Sequence, residues 1–285
     1  MTDDIELDPT YVAARRVLLD ALQGLAPHGK AVIVVGAQAI YLRTGINDIA
    51  IAPYTSDGDL ALDPTLLGDD PALEQSMRDS GLQLLQADGR DRPGAWGTYE
   101  RVNGEDVLIP IDLMVPDAIA PAGGSRSAHL PMHGNRAARK AVGLEAALVD
   151  HGAITIAALD PGDPRRLTVE VAGLAAMVVA KAHKIHDRVE SGRVNRVNDK
   201  DAADMYRIMQ IARLSDLRAT FAVLANDPVA GPVTTQALDY VVELFGSRSG
   251  EGITMAHRAL QGAMDPVQVT TLSQSFARSI QPGIE

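Results

Sequence analysis

AVIVVGAQAIYLRTGINDIAIAPYTSDGDLALD, residues 31–63, holds two apolar runs joined by a helical pattern and a loop. The β-branched run Val32 to Val35 ends at Gly36 and leads into a short helical pattern, Ala37 to Leu42. After a loop, Thr55-Ser56-Asp57-Gly58-Asp59 opens the second apolar run. The order predicts a strand, a tight glycine turn, a helix, and a strand that begins with two carboxylates. Residues two apart on a strand point to one face, so Asp57 and Asp59 can hold one hard cation between them. Gly36 has no side chain, so its backbone can approach a phosphate closely. Together these features predict a metal–triphosphate site.

Outward from this stretch, Asp8-Pro9 reads as a helix N-cap followed by proline at the first helical position, and Val12, Val17, Leu18, Leu22 and Leu25 form its apolar stripe. Residues 70–80 read as a helix and Leu82 to Leu85 as a short strand. Strands over 98–102 and 107–115 flank Asn103-Gly104, a strong hairpin signal. Pro110 within the second strand predicts an edge or a bulge. Residues 116–135 read as a Pro/Gly/Ser/Ala loop, 135–150 as a helix, and 154–158 and 167–171 as short strands. Helical periodicity then holds to the C-terminus, in segments near 172–189, 199–213, 215–225, 233–245, 251–263 and 266–280. The fold class is α/β followed by an all-helical part, with domains at 1–170 and 171–285.

Composition narrows the function. The chain has 285 residues, 46% hydrophobic content and a net charge of -11. This charge opposes long-range attraction to nucleic acid, so any RNA contact needs a local basic patch. Two such clusters exist: Arg188, Arg193, Arg196 and Lys200, and Arg126, Arg136, Arg139 and Lys140. The absence of cysteine excludes disulfides and thiolate chemistry. With an acidic N-terminus and no long apolar run, a cytoplasmic location is expected.

Three groups of residues can carry chemistry. Asp57 and Asp59 gain weight from Asp112, a carboxylate on the apolar strand 109–115, where it needs a positive partner or a metal. A structural salt bridge would satisfy Asp112 equally well. Three carboxylates on neighbouring strands would suit Mg²⁺, which prefers oxygen ligands. Lys181 interrupts the apolar helix 174–180 and either snorkels or reaches an anion, while Lys184 reads as an exposed residue. His183 and His186 lack the further ligands that zinc needs. Asp201 and Asp204 share a helix face at i,i+3, with Asp199 as the cap.

In sequence order, Gly36-Ala37-Gln38-Ala39, Ser56-Asp57-Gly58-Asp59-Leu60, Ala180-Lys181-Ala182-His183 and Lys200-Asp201-Ala202-Ala203-Asp204-Met205 form a pattern that resembles the AbiEii-type nucleotidyltransferases, which include the MenT toxins of toxin–antitoxin systems. The resemblance covers roughly residues 31 to 206. It implies a polymerase-β-like domain and a helical C-terminal domain. It further implies that Asp57 and Asp59 bind Mg²⁺ and nucleotide, that Lys181 meets the triphosphate, and that Asp201 is a catalytic or positioning carboxylate. Gly36, Ala37 and Ser56 fall at the nucleotide-binding positions. Two departures stand out. Ala37 replaces the usual serine or glycine, and Tyr54-Thr55-Ser56 stands where relatives often carry an arginine.

The expected activity is transfer of a nucleotide from an NTP to an acceptor hydroxyl. RNA, foremost the tRNA 3′ end, is the leading acceptor, and the result would be inhibited translation and growth under the control of a cognate antitoxin. Transfer to a small molecule or a protein is the enzymatic alternative, and a non-catalytic NTP- or antitoxin-binding module is the other.

Overall fold

Asp8 sets the first element. Its carboxylate accepts from the Thr10 amide at 2.7 Å, Pro9 takes the first turn, and helix α1 runs Pro9–Gly24. The structure, a computed structural model, describes residues 7–45, 55–120, 126–192 and 199–280. Strand β1 (Val32–Val35) is buried throughout, and Gly36 starts helix α2 (Gly36–Thr44). There follow β2 (Gly58–Leu62), α3 (Leu73–Asp79), β3 (Gln83–Ala87), β4 (Arg90–Val102) and β5 (Glu105–Pro116). Between β4 and β5, Asn103 and Gly104 take φ values of 51° and 86°. Two successive positive φ values give the hairpin turn whose twist matches its strands.

Then come β6 (Arg139–Ala141), β7 (His151–Ala157) and β8 (Arg166–Ala172). The remaining elements are helices: α4 (Leu174–Glu190), α5 (Lys200–Ile211), α6 (Leu214–Asn226), α7 (Ala230–Phe245), α8 (Glu251–Ala259) and α9 (Pro266–Ser279). Among the described residues the strands form one sheet in the order β3-β4-β5-β2-β1-β8-β7, with β6 also paired to β5.

Register assigns the two faces of the sheet. β1 and β2 are antiparallel with Val34 opposite Leu60, and β2 and β5 are parallel with Leu60 opposite Leu113. Leu60, Ile111 and Leu113 are fully buried. A side chain at Gly58, on the same face, would meet Ile111 and Leu18, so α1 covers this side. The alternate residues Val35, Asp59 and Asp112 therefore share the opposite face.

Two sequence expectations change. Residues 135–150 do not form a helix: β6 pairs with β5 through Met114 and Arg139, and a 3-10 turn spans Glu145–Leu148. Gly143, at φ 86°, breaks the chain between them. Strand β5 is also not an edge, since it lies between β4 and β2. Pro110 is tolerated because β2 pairs only with Ile111 to Met114, leaving Gly97 of β4 as its partner.

The chain divides into two compact units. One comprises residues 1–42, 52–141 and 151–172 and contains the sheet, and the other comprises 43–51, 142–150 and 173–285 and contains α4 to α9. The main change falls between Ala172 and Gly173, and two short segments from the first half belong to the helical unit. There Arg207 is buried and donates from Nε to Thr44 Oγ1 at 2.9 Å and from a terminal nitrogen to the Gly45 carbonyl at 3.0 Å.

Candidate functional site

In the sheet unit, Gly36, Asp57, Asp59 and Asp112 come together. Asp59 lies opposite Val35 on one side and Asp112 on the other. Gly36 has φ 70°, and a Cβ there would lie 2.1 Å from an Asp59 carboxylate oxygen. The Asp59 carboxylate is thus seated against the first turn of α2, in space that any other residue would fill. Asp57 precedes β2 by one residue, and its carboxylate accepts from the Thr55 hydroxyl. Ser56 is half-buried in the bend before it, and Ala37 is half-buried in the first turn of α2.

A polar chain holds Asp57 in place from below. Gln38 Nε2 donates to the Asp57 carbonyl at 3.1 Å, and Gln38 Oε1 accepts from Arg15 Nε at 2.8 Å. Arg15 also donates to the Tyr11 hydroxyl at 3.0 Å and the Ala157 carbonyl at 3.2 Å. Burial lowers the Arg15 pKa, opposed by Tyr11, but a guanidinium stays charged in proteins. This link is invisible in the motif pattern. The one available signal was an arginine on the buried stripe of α1, in step with Tyr11, Leu18 and Leu22.

Asp112 faces the same side as Asp59, but its carboxylate accepts from an Arg139 terminal nitrogen at 2.7 Å. Consistent with that, no group of three metal-capable side chains gathers among the described residues. Of the two options for Asp112, the salt bridge is the one formed. Asp57 and Asp59 remain the pair that suits Mg²⁺. Both offer hard oxygen donors, and the backbone beside Asp59 is bare.

Lys181 and Asp201 come together in the helical unit. Lys181 is buried, and its ammonium donates to Asp201 Oδ1 and Asp204 Oδ2, each at 2.6 Å. Lys184 approaches the same Asp201 oxygen at 3.2 Å, and Arg188 bonds its other oxygen. The expectation of a lysine open to a triphosphate is therefore not what the side chain does here: two of its three donors are held by aspartates. Asp199 stands at the N-cap of α5 without a capping bond, and its carboxylate pairs with Arg258 at 2.9 Å. His183 Nε2 bonds the Val233 carbonyl at 2.8 Å, and His186 stacks on Tyr240. Neither histidine has an arrangement suited to metal.

Of the basic clusters, Arg193 and Arg196 lie outside the described residues. Arg136 is held by Glu74 and Asp91, Arg139 by Asp112, and Arg188 by Asp201.

No family model matches the sequence, and no curated protein does. Among solved structures, the chain is similar to an antigenic nucleotidyltransferase-like protein from Paracoccidioides brasiliensis, at 14% identity and a TM-score of 0.40, over 82% of this chain and 94% of that one. At that score no residue role passes from one chain to the other. Among the described residues no helix is long and apolar enough to cross a membrane.

Proposed function

We propose that the chain is a Mg²⁺-dependent nucleotidyltransferase that moves a nucleotide from an NTP to an acceptor hydroxyl. One observation carries this reading: the Asp59 carboxylate rests against Gly36 at the start of α2, and Gln38 of the same helix holds the Asp57 backbone. A glycine turn and a carboxylate pair are what a metal-bound triphosphate needs on one face. Helix amides and the positive end of the helix favour the phosphates, while the carboxylates favour the cation.

Asp57 and Asp59 would hold Mg²⁺, which supplies neutralisation of phosphate charge. Gly36 lets the Asp59 carboxylate sit against the first turn of α2, and Arg15 and Gln38 fix where Asp57 stands. Asp112, on the same face, is the residue placed to orient an acceptor hydroxyl. Lys181 and Asp201 act in this reading as an internal pin of the helical unit, in place of the triphosphate contact that the resemblance implies.

RNA, with the tRNA 3′ end first, is the proposed acceptor class, and a growth-inhibiting toxin restrained by an antitoxin is the proposed context. One observation favours a small-molecule acceptor instead: Arg136 and Arg188, drawn from the two basic clusters, are already ion-paired. Incubation of the purified chain with each labelled NTP and total RNA, with and without Mg²⁺, tests the proposal. Metal-dependent label on small RNA is expected. Label on a small molecule or a protein would overturn the RNA assignment, and no transfer to any acceptor would overturn the enzyme assignment.

A further inference from the structure

Arg139 has a position and a bonding pattern that the reaction proposed above does not use. It sits on β6 opposite Met114 of β5, and Met114 lies two residues from Asp112 on the same face. Asp112 in turn lies opposite Asp59. The guanidinium thus reaches the carboxylate face of the sheet from the strand beyond Asp112. Its one side-chain bond among the described residues is from a terminal nitrogen to Asp112 Oδ2, at 2.7 Å. A guanidinium carries five N–H donors in a planar fork, and among the described residues most of this fork has no protein acceptor. The Arg139 side chain is 33% exposed and that of Asp112 27%, so the pair borders solvent rather than lying sealed in the core.

The charges around it explain the pairing. Asp59 and Asp112 bring two negative charges to one face of the sheet, with Asp57 just before β2, and a carboxylate in partly apolar surroundings needs a cation nearby. Arg139 meets that need at Asp112. A triphosphate changes the balance, because it arrives with a cation for the carboxylates and with oxygens whose geometry suits the arginine fork better than one carboxylate oxygen does.

We propose that Arg139 is a phosphate-binding residue of the nucleotide site that exchanges partners: it neutralises Asp112 through the ion pair seen here and turns to a phosphate oxygen when an NTP enters, which makes Asp112 available to cation or acceptor. The exchange forms and breaks hydrogen bonds only. This inference rests on the nucleotide-site reading and assigns Arg139 a task apart from the RNA patch suggested by its neighbours in sequence.

The test measures binding of inorganic tripolyphosphate and of a non-hydrolysable NTP analogue by calorimetry, in EDTA and in Mg²⁺, with melting curves for every protein. A purely structural pair requires that breaking it from either side has the same consequence. The exchange requires opposite signs. Arg139→Gln should weaken tripolyphosphate binding at least about tenfold, the scale of a lost charge-assisted hydrogen bond. Asp112→Asn should instead strengthen binding in EDTA severalfold, since it releases the arginine and removes a repelling charge. Arg139→Lys, which keeps the charge and loses the fork, should fall between wild type and Arg139→Gln. Equal weakening by Arg139→Gln and Asp112→Asn, or unchanged binding by a folded Arg139→Gln, overturns the exchange while leaving the nucleotide site standing. A wild-type chain that binds neither probe in either buffer overturns the nucleotide site, and the exchange with it.

Discussion

Asp57 and Asp59 stand at the start of a strand, half-exposed, against a glycine turn and a threonine hydroxyl. Asp201 and Asp204 stand on a helix, buried, against Lys181, and Asp201 also meets Lys184 and Arg188. Both are aspartate pairs, and the resemblance described above implies that Asp201 joins Asp57 and Asp59 in one nucleotide site. Their surroundings separate them. In the helical unit, cations of the chain itself already answer the carboxylates, which is how a buried charge is kept at tolerable cost. In the sheet unit, Asp57 meets the Thr55 hydroxyl, Asp59 lies against the Gly36 backbone, and both border solvent. Acidic density alone does not mark a site; what separates these two pairs is how deeply each is buried and what each carboxylate faces.

The two clusters should fail in different ways when broken. The largest effect on stability is expected in the helical unit. Lys181→Met leaves two buried aspartates without the cation they share and should cost about 3 kcal/mol or more in denaturant unfolding. Lys184→Ala, at a half-exposed lysine, should cost less than about 1 kcal/mol. Comparable small losses for both would mean that the buried cluster is not the pin described here.

A smaller loss of stability but a clear loss of binding is expected at Gly36→Ala. The substitution meets a φ of 70° and places a Cβ 2.1 Å from the Asp59 carboxylate. Backbone strain of about 1–2 kcal/mol should appear in melting curves. Displacement of Asp59 should lower affinity for an NTP analogue about tenfold, because roughly 1.4 kcal/mol of lost contact suffices. A folded Gly36→Ala that binds as well as wild type would separate Asp59 from the nucleotide.

How much of this was legible beforehand follows from the range of each interaction. The β1–Gly36–α2 turn, the Asn103-Gly104 hairpin and the C-terminal helices were readable, because periodicity and turn chemistry are local. Residues 135–150 misled, since Arg139 to Ala141 form a strand only by pairing with β5. The Asp112–Arg139 pair depends on that same pairing, so spacing along the chain could present its two members only as options. Lys181 reads as a charge in an apolar helix, but whether it snorkels or finds an anion is decided by α5 packing beside it. Arg15 and Gln38 carry no motif at all. Their role appears only when Asp57 is traced to what holds its backbone.

The smallest effect concerns pH and belongs to the sheet unit away from the carboxylates. His28 is buried and packs edge-on against His133, with ring centroids 5.4 Å apart. Burial first and His133 second lower the His28 pKa, opposed by the backbone of Pro71. The folded state therefore binds its proton less readily than the unfolded state. The stability this contributes is complete above the ordinary imidazole value of about 6.5 and is lost as pH falls through the lower folded value. Melting temperature should drop between pH 7.5 and 5.5, and His28→Leu should reduce that drop. An undiminished drop in the variant would assign the acid sensitivity to other groups, with His183, also lowered by burial, the next to examine.

We propose that nucleotide and metal meet at Asp57 and Asp59, while Lys181 and its aspartates hold the helical unit together. Mg²⁺-dependent binding of a non-hydrolysable NTP analogue tests it most directly, measured by calorimetry on Asp59→Asn and Lys181→Met at a low temperature where circular dichroism shows both folded. Asp59→Asn should lose about a hundredfold in the Mg²⁺-dependent part of binding with little change in melting temperature, and Lys181→Met should melt earlier yet bind nearly as wild type. The reverse outcome, with Asp59→Asn binding normally and a folded Lys181→Met losing the nucleotide, would contradict the account.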